Sequence, residues 1–121
     1  MPVRSLSSSV LKWPDKQVVD SAVRSWAEKV SEERKDVRKI GYFGSYARGD
    51  WGVGSDLDIL VILDGSDKPM ERRAVDWDTT DLLVPSDLLI YTIDEWEKMR
   101  DAGRLGRTLM REVVWIYERS G

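Results

Sequence analysis

The chain contains no histidine and no cysteine. Without imidazole, a metal site has to be built from carboxylates, and a histidine general base is excluded. Without thiols, disulfides and thiolate chemistry are excluded too, which agrees with a cytoplasmic protein. No apolar stretch reaches the length of a signal-peptide core at the N-terminus or of a transmembrane span anywhere, so no membrane residence is expected. Concentrated positive charge is also missing. The net charge is −3 with a pI near 5.0, and there is no lysine-rich tail or long basic stripe, which argues against tight, sequence-independent binding of nucleic acid. Internal repeats and low-complexity segments are absent. The 121 residues suit one domain, 1–121, with a single sheet-and-helix core and no room for a separate specificity domain.

What the sequence does have is one spaced arrangement that specifies a chemistry. Gly44-Ser45 is followed, after ten residues, by Asp56-Leu57-Asp58 at the head of the apolar run Ile59–Leu63. Asp56 and Asp58 are two apart where the pattern turns strand-like, which puts both side chains on one sheet face with α-carbons about 6.5 Å apart. One divalent ion, or two, fits between them. Hard oxygen ligands suit Mg²⁺ or Mn²⁺, which are held by a few carboxylates plus substrate phosphate. Two ions roughly 3.5–4 Å apart stabilise both the attacking and the leaving oxygen of an in-line displacement. Gly44 allows a tight turn and close backbone approach, and the Ser45 hydroxyl with the amides after it can donate to phosphate oxygens at the start of a short helix. Arg48 either reaches a phosphate or solvates that helix. A lone Gly-Ser is ordinarily a turn, and a lone Asp-x-Asp a strand entrance or a cap. In this order and spacing they read as a phosphate turn followed by a metal-binding carboxylate pair, the two parts needed to transfer a nucleotidyl group.

Residues 1–12 read as a loose N-terminal segment, with order beginning near Trp13-Pro14-Asp15. Val18, Val19, Ala22, Val23, Trp26, Ala27 and Val30 recur at helical spacing, with Pro14 and Asp15 suited to the first turn. Strands are expected over Val37–Phe43 and Asp56–Leu63, the second buried on both faces. Gly49–Gly54 is too glycine-rich to hold a helix. A short helix is expected over Met70–Trp77, a third strand over Asp87–Thr92, and a helix through Ala102 opened by an Asp94/Glu97 capping box. A further helix spans Arg104–Met110, and Val113–Tyr117 is strand-like. Trp26, Trp96 and Trp115 fall in periodic segments and read as core or interface. Trp51 either covers a bound base or anchors its loop. Arg104, Arg107 and Arg111 share a helical face, which is either a solvated stripe or a dock for triphosphate, an acidic partner or RNA.

The stretch Gly44-Ser45-Tyr46-Ala47-Arg48-Gly49, followed by Ser55-Asp56-Leu57-Asp58-Ile59-Leu60-Val61, resembles the signature of the DNA polymerase beta-like nucleotidyltransferase superfamily. More narrowly, it resembles the minimal nucleotidyltransferases, small single domains often paired with a HEPN-family protein. The resemblance runs from Val37 to the Val113–Glu118 segment. It implies an α+β fold, a mixed β-sheet with helices packed on it. It also implies a third carboxylate on a neighbouring strand, which Asp87 matches, with Asp81 as the next candidate. Asp56, Asp58 and Asp87 are then the catalytic and metal-binding residues, and Gly44 and Ser45, aided by Arg48, hold the triphosphate. The implied cofactor is Mg²⁺ or Mn²⁺, and the implied substrate is ATP, whose AMP goes to a hydroxyl of a partner protein. Because larger members add domains to recognise their acceptors, a chain this short has to borrow its acceptor site from a partner or from a second copy of itself. The resemblance makes that partner a HEPN-family helical toxin and this chain its antitoxin. Two other roles stay open: a non-catalytic binding antitoxin, and a small-molecule nucleotidyltransferase of the antibiotic-modifying type.

Overall fold

A computed structural model describes residues 13–119; the expected loose segment 1–12 lies outside the described residues. Helix α1 (Lys16–Glu33) begins at Asp15, whose carboxylate accepts the Val18 amide at 3.0 Å and so satisfies one of the first-turn donors. Val19, Val23, Trp26, Ala27 and Val30 form its buried stripe. Val18 does not belong to it. A residue next to Val19 is turned about 100° away around a helix, and Val18 is 47% exposed.

The stripe packs on a four-stranded sheet of order β3-β2-β1-β4. Strand β1 (Val37–Phe43) pairs antiparallel with β2 (Leu57–Leu63) on one side and with β4 (Val114–Glu118) on the other. Strand β3 (Ser86–Thr92) lies parallel to β2 at the sheet edge. Because side chains alternate across a strand, β2 divides its apolar run between two cores. Leu57, Ile59, Val61 and Leu63 join Ile40 and Tyr42 against α1, with Leu82 and Val84 closing that side. Leu60 and Ile62 face the other way, toward Trp96 and Leu109. Burial on both faces follows from this central position, as the continuous apolar run predicts.

The second core is covered by α3 (Ile93–Asp101) and α4 (Arg104–Glu112). Trp96 meets Trp115 edge-on there, with ring centroids 5.7 Å apart. Gly106 lets α4 pack closely, since a Cβ would strike the carbonyl oxygens of Met99 and Arg100 at the end of α3. The capping box of α3 is Thr92/Glu95 rather than Asp94/Glu97: the Thr92 hydroxyl accepts the Glu95 amide, and the Glu95 carboxylate accepts the Thr92 amide. The helix starts directly from the end of β3, two residues earlier than the sequence pattern suggests.

The helix expected over Met70–Trp77 shrinks to one 3-10 turn, Met70–Arg72. Arg73 ends it. Its guanidinium, 7% exposed, donates to the Lys68 and Ile90 carbonyls and to both oxygens of Glu95, tying the segment to β3 and α3. Helix α4 runs past Met110 to Glu112, and β4 is displaced by one residue from Val113–Tyr117. Among the described residues no helix is long and apolar enough to cross a membrane.

Candidate active site

Two strand pairings assemble the motif residues on the α3/α4 side of the sheet. The β1–β2 register sets Phe43 opposite Asp58, so the turn that leaves β1 begins beside that carboxylate. The β2–β3 register sets Asp87 opposite Asp58. By alternation, Asp58 shares a face with Leu60 and Ile62, and Asp87 with Leu89 and Tyr91, residues of the second core. Asp87 therefore lies next to Asp58 on the same face, as expected for a third carboxylate. Asp81 does not; it pairs with Lys29 of α1 at 3.2 Å, on the opposite side of the sheet.

The turn itself explains its glycine. Gly44 has φ +83°, a conformation that side chains disfavour, and a Cβ there would collide with Oδ2 of Asp58. The bare backbone thus makes room first for the carboxylate. Ser45–Arg48 follow as one helical turn, α2, closed by Gly49. Gly44, Ser45, Asp56 and Asp58 line an open groove of about 470 Å³, whose other wall is Thr108, Leu109 and Glu112 of α4. Asp87 lies on the far flank of Asp58, outside that lining.

Asp58 is half-buried, whereas Asp56 and Asp87 are exposed. Burial pushes the Asp58 carboxyl above its ordinary pKa, the charges of Asp87, Asp56 and Glu112 push it the same way, and the Arg48 guanidinium opposes them. Among the described residues none of Asp56, Asp58 and Asp87 takes part in an ion pair. Converging, unpaired carboxylates are a donor set that a hard divalent cation fits, because it relieves their repulsion. Among the described residues no three acidic side chains stand close enough to form a finished cage. A cation held here would have to take part of its ligands from water or phosphate.

Of two side chains near the groove, Arg48 departs from both readings the sequence left open, and Trp51 takes one of its two. Arg48 is neither free nor merely solvating: Nε donates to Asp50 at 3.1 Å and Nη1 to Glu112 at 3.2 Å. Trp51 anchors its loop. It stacks on Tyr46 at 5.6 Å, nearly parallel, and packs against the core on the α1 side, away from the carboxylates. The residue that sequence reasoning missed is Glu112. Its Oε1 accepts the Gly44 amide at 2.8 Å, across 68 residues of chain. No local pattern announces such a contact; a glutamate ending an arginine-rich helix looks like any solvated helix end. Arg104, Arg107 and Arg111 are exposed and in no ion pair among the described residues. Arg111 lines a second groove that continues the first past Arg48 and Thr108.

Residues 23–115 match the family described as "Nucleotidyltransferase domain". The chain is 34% identical over 89 residues to the protein adenylyltransferase MntA of Thermococcus cleftensis, a match covering 74% of this chain and 84% of that protein. It is 38% identical over 95 residues to a provisionally named protein adenylyltransferase of Methanocaldococcus jannaschii, covering 74% and 76%. A crystal structure from Sulfolobus solfataricus, provisionally named a nucleotidyltransferase, superposes with a TM-score of 0.63 at 20% identity over 86% of this chain and 84% of that one. A crystal structure of a toxin-antitoxin with AMP-PNP superposes with a TM-score of 0.50 at 18% identity, covering 79% and 73%. At these identities the two structures show the shared α+β fold, and the extent of the sequence matches carries the family. The chain belongs to the nucleotidyltransferase domain family and is a nucleotidyltransferase.

Proposed function

We propose that this nucleotidyltransferase moves AMP from ATP onto a hydroxyl of a partner protein, and that the partner is the helical HEPN-family toxin for which it is the antitoxin. The observation that carries the reading is the in-register pair Asp58 and Asp87 beside the Gly44 turn. One carboxylate faces the groove and the other the open flank, so donor and acceptor approach Asp58 from opposite sides. The curated relatives are named as protein adenylyltransferases, and a structural neighbour is a toxin-antitoxin with AMP-PNP, which supports this acceptor class and nucleotide.

In the proposed reaction Gly44, Ser45 and Arg48 grip the triphosphate tail along the groove, and Asp56, Asp58 and Asp87 hold Mg²⁺ or Mn²⁺. Bound there, the divalent cation supplies charge neutralisation at the α-phosphate and the departing pyrophosphate. Asp87 orients the acceptor hydroxyl and takes its proton as the oxygen attacks the α-phosphorus. The new O–P bond forms while the bond to the β-phosphate oxygen breaks, and pyrophosphate leaves.

A phosphodiester-linked AMP near the partner's active site places a bulky anion where RNA phosphate has to bind, and silences it by repulsion and blockage. Incubation of the chain with its neighbour-encoded partner, ATP and Mg²⁺ tests this. The partner's mass should rise by one or more AMP units as its ribonuclease activity ends. Silencing without a change in mass would instead make the chain a binding antitoxin.

A further inference from the structure

Glu112 makes the contacts that a phosphate oxygen would make. A single oxygen, Oε1, accepts both the Gly44 amide at 2.8 Å and the Arg48 guanidinium at 3.2 Å. This places a negative charge beside Asp58, and that charge adds to the repulsion Asp58 already meets from Asp56 and Asp87. Electrostatic relief of the carboxylate cluster therefore does not explain the position. The donors do: a backbone N–H and a guanidinium converging on one anionic oxygen are a charge-assisted anion seat. Glu112 fills it on a flexible side chain from the last turn of α4, so it can leave by rotating about its own bonds.

Beyond the contact lies the second groove, about 500 Å³, lined by Ala47, Arg48, Thr108, Arg111 and Glu112. Arg111 brings to it a guanidinium with no acidic partner among the described residues. Thr108, one turn before Glu112, offers a hydroxyl to the carboxylate once it has swung away.

We propose that Glu112 is a built-in competitor for the terminal phosphates of the nucleotide: it occupies the Gly44 and Arg48 donors in the free chain, a triphosphate displaces it, and Arg111 receives the far end of the displacing ligand. This rests on the nucleotide reading given above. It makes Glu112 and Arg111 determinants of chain length, because a monophosphate held at Asp56 and Asp58 does not extend into the second groove and has no part in the exchange.

Calorimetric titration of the full chain in Mg²⁺ with AMP-PNP, and separately with AMP, tests it. Glu112→Gln keeps the shape and the acceptor oxygen but removes the charge, and should tighten AMP-PNP binding by about fivefold or more while leaving AMP unchanged. Arg111→Gln should weaken AMP-PNP by roughly three- to tenfold and also leave AMP unchanged. Arg104→Gln makes the same charge change about 10 Å away along α4 and should alter neither. Weaker or unchanged AMP-PNP binding in Glu112→Gln, in a variant whose melting curve matches the parent, would overturn the competitor role and make Glu112 a brace for the turn. Equal effects of Arg111→Gln and Arg104→Gln would overturn the assignment of the groove. If the unmodified chain bound no AMP-PNP at all, the nucleotide reading itself would fail, a pattern distinct from either.

Discussion

Replacing Asp58 by asparagine should stabilise the folded chain while abolishing transfer. Adjacent strands lie about 4.8 Å apart, and Asp58 is directly opposite Asp87, so the two charges sit roughly 6 Å apart. In a water-like dielectric, suited to an exposed partner, this repulsion is about 0.7 kcal/mol. Asp56, two residues along, contributes about 0.6 kcal/mol at roughly 7 Å, and the attraction of Arg48 offsets part of the sum. Asparagine is nearly the same size and drops the charge, so the net gain is about 1 kcal/mol, or roughly 3–6 °C in melting temperature for a chain of this size. Urea titration in EDTA, followed by fluorescence of the six tryptophans, measures it directly. Adding salt should shrink the difference, because screening weakens the repulsion. Mg²⁺ should reverse the order of stabilities, because only the parent gains from binding it; at tenfold excess over its dissociation constant that gain is about 1.4 kcal/mol. A variant less stable than the parent by more than about 0.5 kcal/mol in EDTA would refute the reasoning, since Asp58 would then be a satisfied structural carboxylate.

Asp87→Ala should lower transfer to background yet keep AMP-PNP affinity within about threefold, since its proposed work is on the acceptor side; a parallel loss of nucleotide binding by calorimetry would contradict that role. Ser45→Ala should weaken AMP-PNP by roughly 1–3 kcal/mol, whereas Gly44→Val should be worse and should also lower the melting temperature, because its side chain strikes Asp58. The ion pair of Glu95 with buried Arg73 should make stability depend on pH. Two hydrogen bonds from Arg73 hold the Glu95 carboxyl at about 2, below its ordinary 4.5. Its stabilisation is therefore present above the unfolded value and lost as pH falls toward 2. With Glu95 41% exposed, solvent screening reduces this to about 1–2 kcal/mol. Urea titrations of Glu95→Gln against the parent should show that deficit at pH 6 and less than about half of it at pH 3; a gap independent of pH would show that charge is not its source.

Most of the secondary structure was legible because its causes are contiguous. The stripe of α1 repeats at helical spacing, the run Ile59–Leu63 is apolar throughout as a strand covered on both faces must be, and Gly49–Gly54 cannot sustain a helix. The errors fell where a distant group overrides the local pattern. Val18 is apolar but lies off the stripe that the sheet selects. The Met70–Trp77 segment stops after one turn because Arg73 is drawn to Ile90 and Glu95, and the α3 cap moves to Thr92 because the chain enters that helix straight from β3.

The sequence by itself limited the chemistry on offer: with no histidine or cysteine, carboxylates are the side chains it offers to a metal, a glycine turn lies ahead of them, and the family signature, Gly44 to Val61, is carried by residues within eighteen positions of one another. Tertiary structure alone decided which other groups join them. Asp87 becomes a neighbour of Asp58 only because β3 lies parallel to β2 in one register, while Asp81, six residues earlier, is carried to the opposite face. Glu112 reaches Gly44 only because α4 folds back over the sheet with Gly106 against the end of α3. Contacts of that kind depend on how whole elements pack, and a packing arrangement leaves no periodicity or spacing in the chain from which it could be read.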